Sequence, residues 1–106
     1  MTSPLIANLE KVLASGKDSA LLRFGLGNAY LNAGVPATAA GHLQRAVELN
    51  PNYSAAWKLL GKALLAANDS HAALIAYRKG VVAAQQMGDK QALREMQVFI
   101  RRLEKT

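Results

Sequence analysis

Gly27 and Gly61 lie 34 residues apart, each inside a stretch whose apolar residues recur every three or four positions. That spacing reads as helix, and a glycine within a helix costs about 1 kcal/mol relative to alanine. Two such glycines at one offset call for a shared reason. The residues around them repeat at the same offset: Leu26 corresponds to Leu60, Ala39 to Ala73, Leu43 to Tyr77 and Ala46 to Gly80. Tyr30 corresponds to Leu64 and Arg23 to Trp57. A sequence that repeats at this interval folds as an array of similar units, each stacking on the next.

No stretch alternates with period two, so the chain is predicted to be all-α. Turn residues divide it into six helices. The first starts at Pro4, a residue suited to a first helical turn, and runs to Ala14 before Ser15-Gly16. The second runs from Asp18 or Ser19 to Ala33, with Gly34 supplying a left-handed terminus. Pro36 opens the third, which stops before Asn50-Pro51 because the residue ahead of a proline is pushed out of helical geometry. The fourth spans 54–67. Asn68 takes a left-handed conformation, and Asp69 or Ser70 caps the fifth, which runs to Gln86. Asp89 caps the sixth, 90–104. Connections this short make neighbouring helices antiparallel.

The two copies resemble the tetratricopeptide repeat family, whose pattern is W-x2-L-G-x2-Y followed by A-x3-F, A and P. Residues 20–53 carry LGNAY at 26–30, then Ala39, Leu43, Ala46 and ELNP at 48–51; residues 54–87 carry WKLLGKAL at 57–64, then Ala73, Tyr77 and Gly80, without the proline. The resemblance implies a right-handed stack of antiparallel helical hairpins. Gly27 and Gly61 then mark where the two helices of a hairpin approach most closely. Trp57, Leu60 and Leu64 pack against the second helix, and Ala73 and Gly80 face back. Arg23 stands where a bulky apolar residue is expected, which implies a looser first hairpin.

One domain, 1–106, is expected, comprising a half-repeat helix at 4–14, repeats at 20–53 and 54–87, and a capping helix within 88–106. Leu5, Leu9 and Val12 fall at the packing positions of the half-repeat, with Ile6 and Leu13 as additional apolar surface. In the last helix Leu93, Met96, Ile100 and Leu103 form one stripe, flanked by Ala92 and Phe99, and the other faces are charged.

Catalytic chemistry is not expected. The chain has no cysteine. His42 and His71 belong to different helices and lack partners at ligand spacing, so no metal site is predicted. No nucleophile elbow, phosphate loop or paired carboxylates occur, and no cofactor is implied. The N-terminal stretch carries Glu10 and Lys11 where an export signal would be apolar, and no run approaches the roughly 20 apolar residues that span a bilayer. A cytoplasmic protein without membrane attachment is expected. The net charge is +6, and it is uneven: residues 1–53 carry four basic and three acidic side chains, residues 54–106 nine and four. A basic half suits an acidic partner or, more weakly, nucleic acid. No interleaving of aromatic and basic residues supports base stacking.

By analogy with the family, the first helices of successive hairpins line a concave groove that holds a peptide. Position by position this implies Leu21, Phe24, Asn28 and Leu31, then Ala55, Lys58, Lys62 and Leu65, then Gln91, Arg94, Val98 and Arg101. Lys58 and Lys62 share a helix face, and both are expected to be solvated. Some family members clamp a C-terminal carboxylate. Asn28 falls at one clamp position, but Phe24 and Leu21 replace clamp lysines, so that device is not expected. The function implied is non-catalytic binding of an acidic or carboxylate-ended peptide by Phe24, Asn28, Leu31, Lys58, Lys62, Leu65, Arg94 and Arg101. The alternatives are self-association through an end helix and weak nucleic-acid binding by the basic half.

Overall fold

A computed structural model of the chain describes residues 3–105, and among these it contains six α-helices and no strand. They are α1 (Pro4–Ala14), α2 (Ala20–Asn32), α3 (Pro36–Leu49), α4 (Ser54–Ala66), α5 (Ser70–Met87) and α6 (Lys90–Glu104). Local chemistry sets the boundaries. Pro4 and Pro36 occupy first turns, where a missing N–H is harmless. Ser3, Ser19, Asp69 and Asp89 each accept a backbone N–H at a helix start. Gly34 and Asn68 are left-handed, as read from the sequence. Asn50 is extended ahead of Pro51. The fifth helix runs one residue beyond the expected end, because Gly88 rather than Met87 takes the left-handed terminus.

α2 packs against α3 and α4 against α5, and each hairpin closes through a knob in a hole. A Cβ on Gly27 would overlap Leu43, and a Cβ on Gly61 would overlap the Tyr77 ring. Gly80 extends the scheme to the next layer, where a Cβ would meet Met96 of α6 and Trp57 of α4. The deepest ring is Tyr77, 1% exposed. Trp57 is only half-buried: it packs on this core by one face while its Nε1–H donates to the Pro51 carbonyl at 2.7 Å.

The helices form two layers. The backbones of α2, α4 and α6 approach one another in succession, whereas those of α1, α3 and α5 do not come as close. A stack whose members meet on one side and splay on the other is curved, so α2, α4 and α6 form its inner face.

The first hairpin is not looser for having Arg23. It closes on Gly27 as the second closes on Gly61. The Arg23 guanidinium donates to both Asp18 oxygens, at 2.8 and 3.0 Å, and to His42 Nδ1 at 3.1 Å. His42 stacks on Tyr30, with ring centroids 5.4 Å apart, and the Tyr30 hydroxyl donates to Glu10 of α1 at 2.9 Å. A polar chain thus links α1, α2 and α3 where the second hairpin uses an indole. Arginine offers only donors, so His42 Nδ1 accepts and must be unprotonated.

α1 is rotated relative to the sequence expectation. Ile6 is buried and Leu9 and Leu13 half-buried, while Leu5 and Val12 are 58% and 41% exposed. Leu5-Leu9-Val12 and Ile6-Leu9-Leu13 are both helical stripes sharing Leu9. The Glu10–Tyr30 hydrogen bond accompanies the second of these.

Two measurements check this account. Gly61→Ala should lower stability to urea by about 1–3 kcal/mol through overpacking. Gly41→Ala should raise it by up to about 1 kcal/mol, because Gly41 is helical with open space around its Cα. Burial, aided by Arg23, holds the His42 pKa below its ordinary 6.5, while Glu10 and Asp18 oppose the shift. The folded state therefore binds fewer protons than the unfolded chain below pH 6.5, and stability falls as pH drops from there toward the folded value. Melting temperature should decline between pH 7.5 and 5.5 in the parent protein, and this portion of the decline should vanish in His42→Phe.

Candidate functional site

The inner face begins on α2. Leu21 is 72% exposed and Asn28 also faces solvent. Phe24 is half-buried and stacks on Tyr53, with ring centroids 5.1 Å apart. Leu31 is half-buried against the same core. Phe24 and Leu31 pack against the core that α3 and α4 mainly build, which leaves Asn28 as the hydrogen-bonding group of this part.

On α4 the two lysines diverge. Lys58 is not solvated as expected: its Nζ donates to Glu95 of α6 at 3.2 Å, and its side chain is 27% exposed. Glu95 meets Lys58 across the seam between α4 and α6. Lys62 is exposed and has no ion-pair partner among the described residues. Leu65 is 41% exposed.

The Lys58–Glu95 pair separates two regions of the seam between α4 and α6. At its N-terminal end Ala55, Lys58, Asp89, Gln91, Ala92 and Glu95 surround a polar depression of about 230 Å³. The Asp89 carboxylate there accepts the Ala92 N–H and, through its other oxygen, the hydroxyl of buried Ser54. Those two bonds hold its pKa below the usual carboxylate range. At the C-terminal end lies a larger cavity of about 420 Å³, lined by Lys62, Leu65, Ala66, Tyr77, Phe99, Arg102 and Leu103.

Of the residues named from sequence, Lys62 and Leu65 meet in this cavity. Arg101 does not join them. It lines a separate depression with Arg78, Val81, Gln97 and Ile100, between α5 and α6. Arg94 is exposed, and its spacing of two turns from Arg101 gives it the same side of α6. The cation that α6 contributes beside Lys62 is Arg102, whose guanidinium lies 5.9 Å over the Phe99 ring. Successive helical residues point about 100° apart, so the adjacent Arg101 and Arg102 line different depressions. Sequence reasoning also missed Tyr77 as a cavity wall, because its repeat position marked it only as core.

No cluster of three or more histidine, aspartate or glutamate side chains able to hold a metal occurs among the described residues. No helix among them is long and apolar enough to cross a membrane. The cavity can take up apolar surface and present positive charge beside it.

Comparison with known proteins agrees with the fold. The tetratricopeptide repeat profile matches residues 20–63. A TPR repeat-containing protein of Pseudomonas aeruginosa is 56% identical over 101 residues, spanning 95% of this chain and 96% of that protein. A Bordetella parapertussis protein of known solution structure superposes with a TM-score of 0.81 at 43% identity, covering 97% of this chain and 90% of the other.

The two lysines should respond differently to charge reversal. Lys58→Glu would face Glu95 and should destabilise the fold by about 1 kcal/mol, the scale of a partly exposed pair. Glu95→Lys in the same chain should restore most of that loss. Lys62→Glu should leave the unfolding midpoint nearly unchanged. Urea denaturation of the four proteins reads all three effects.

Proposed function

The chain belongs to the tetratricopeptide repeat family, and we propose that it is a non-catalytic protein-interaction module whose inner face holds an acidic or carboxylate-ended segment of a partner protein. Proteins of this family generally mediate protein–protein interaction. The observation that carries the reading is the contrast along the inner face. Phe24, Tyr53 and Leu31 pack against the core that α3 and α4 mainly build. The seam between α4 and α6 keeps an open apolar cavity with Lys62 and Arg102 on its two walls. Lys58 and Arg78 are each paired with a glutamate, whereas Lys62 and Arg102 keep their charge for a partner.

In this reading Asn28 hydrogen-bonds the partner's backbone, and Phe24, Leu31 and Leu65 give apolar contact. Lys58 acts through its pairing with Glu95, which bridges α4 and α6. Arg94 and Arg101 lie outside the cavity and add to the positive field that speeds encounter. Charge sets on-rate and partner choice, while apolar burial holds the ligand. Binding should weaken as salt rises, since exposed charges are screened beyond roughly 8–10 Å.

A second reading rests on α1. Its Leu5 and Val12 form an exposed apolar stripe, which suits association of two copies through that helix. A solution mass that stays monomeric at all concentrations would remove it.

The main test places a photo-crosslinking amino acid at Asn28 or Lys62 on the inner face, and at Arg45 on α3 as the outer-face control. In cells expressing the full chain, partner adducts should form from the first two positions and not from Arg45. Adducts from Arg45 alone would sink the proposal.

A further inference from the structure

The cavity between α4, α5 and α6 contains a group that the packing leaves unused. Tyr77 is 1% exposed, yet its hydroxyl has no hydrogen-bond partner among the described residues, and the side chain lines the cavity. Buried hydroxyls are normally paired, because desolvation without a partner is costly. Among the described residues no side-chain oxygen is both sealed and unsatisfied. The Tyr77 hydroxyl therefore keeps access to the space it borders. The ring cannot withdraw, because Gly61 and Phe99 hold it, Phe99 with its ring centroid 5.2 Å away. The cavity thus has a fixed hydrogen-bonding group set among hydrocarbon.

Its other parts constrain what enters. Leu65, Phe99 and Leu103 make apolar walls. At about 420 Å³ the space falls within the roughly 300–1,000 Å³ of ligand pockets, with room for an aromatic side chain. Lys62 stands on the α4 wall and Arg102 on the α6 wall, Arg102 lying over the Phe99 ring. Cations on opposite walls favour negative charge on both sides of whatever is inserted. A ligand whose chain continues past the cavity in both directions meets that demand, and a chain that ends there does not.

We propose that this cavity seats a tyrosine side chain of an internal acidic peptide segment, with the inserted phenol exchanging a hydrogen bond with Tyr77 and the flanking carboxylates meeting Lys62 and Arg102. This deepens the peptide-binding reading above and rests on it. A phenol fits because it offers an apolar body with a polar tip. An all-hydrocarbon anchor would cover the Tyr77 hydroxyl and leave it unpaired.

The test titrates the intact, isotope-labelled protein with short acetylated and amidated peptides followed by NMR. The central residue is tyrosine, phenylalanine or serine between pairs of glutamates, and a further tyrosine peptide carries lysines instead. At up to about 1 mM peptide, millimolar binding is visible. The tyrosine peptide should bind several-fold more tightly than the phenylalanine one, and the serine and lysine peptides far more weakly. The shifts should centre on Leu65, Phe99 and Leu103. Tyr77→Phe, which keeps the ring, should erase the gap between the tyrosine and phenylalanine peptides. Lys62→Glu with Arg102→Glu, both at exposed positions, should weaken the glutamate peptides about tenfold or more, the two charged contacts together being worth at least one decade. A phenylalanine peptide that binds equally well overturns the proposal, as does a gap that survives Tyr77→Phe or the absence of shifts at the cavity. Shifts centred on Asn28 would overturn it while leaving the inner-face reading intact. Crosslinking only from Arg45 would instead remove that wider reading.

Discussion

The structure depends on one steric arrangement, a large side chain of one helix occupying the space a glycine leaves on another. Leu43 fills the hole at Gly27, Tyr77 that at Gly61 and Met96 that at Gly80. Protein interiors pack at crystal-like density, so such fits set helix separation closely. The consequences reach the inner face. Seating Tyr77 against Gly61 puts its ring beneath the seam between α4 and α6. Phe99 then packs on that ring and Met96 enters Gly80, which fixes the position of α6. The cavity walls are thus by-products of the contacts that close the second hairpin.

The two hairpins reach one geometry through different chemistry. Trp57 ties α4 to the preceding loop by an indole N–H on the Pro51 carbonyl; Arg23 ties α2 to its preceding loop by a guanidinium on Asp18. The arginine also bonds His42 on α3 and belongs to the chain of polar contacts that reaches α1. The half-buried polar links are satisfied, so the substitution does not loosen the packing, but it makes the first hairpin sensitive to protonation in a way the second is not.

Much of this was legible in the residues. Gly34, Asn68, Pro36 and Asp89 act locally, through backbone conformation or a cap within one turn, and each did what its chemistry implies. The glycine holes were legible because they repeat. What escaped depended on choices between near-equivalent alternatives. α1 carries two apolar stripes through Leu9, and tertiary contacts selected the one with Ile6. Arg101 and Arg102 are adjacent and equally basic, so only the docked rotation of α6 tells which reaches Lys62. The Lys58–Glu95 pair joins two long side chains on different helices, and no local pattern links them.

The two ends of α6 are held by unlike means. Its first turn is fastened through Asp89, whose carboxylate caps the helix and grips buried Ser54 of α4. Its last turn packs Ile100 and Leu103 on the core and adds an ion pair between Arg78 and Glu104, both about half exposed, a kind of contact typically worth at most about 1 kcal/mol. Mechanically, α6 is clamped at its first turn and keyed at mid-length by Met96 in Gly80 and Phe99 on Tyr77, so the cavity wall it supplies is a rigid one.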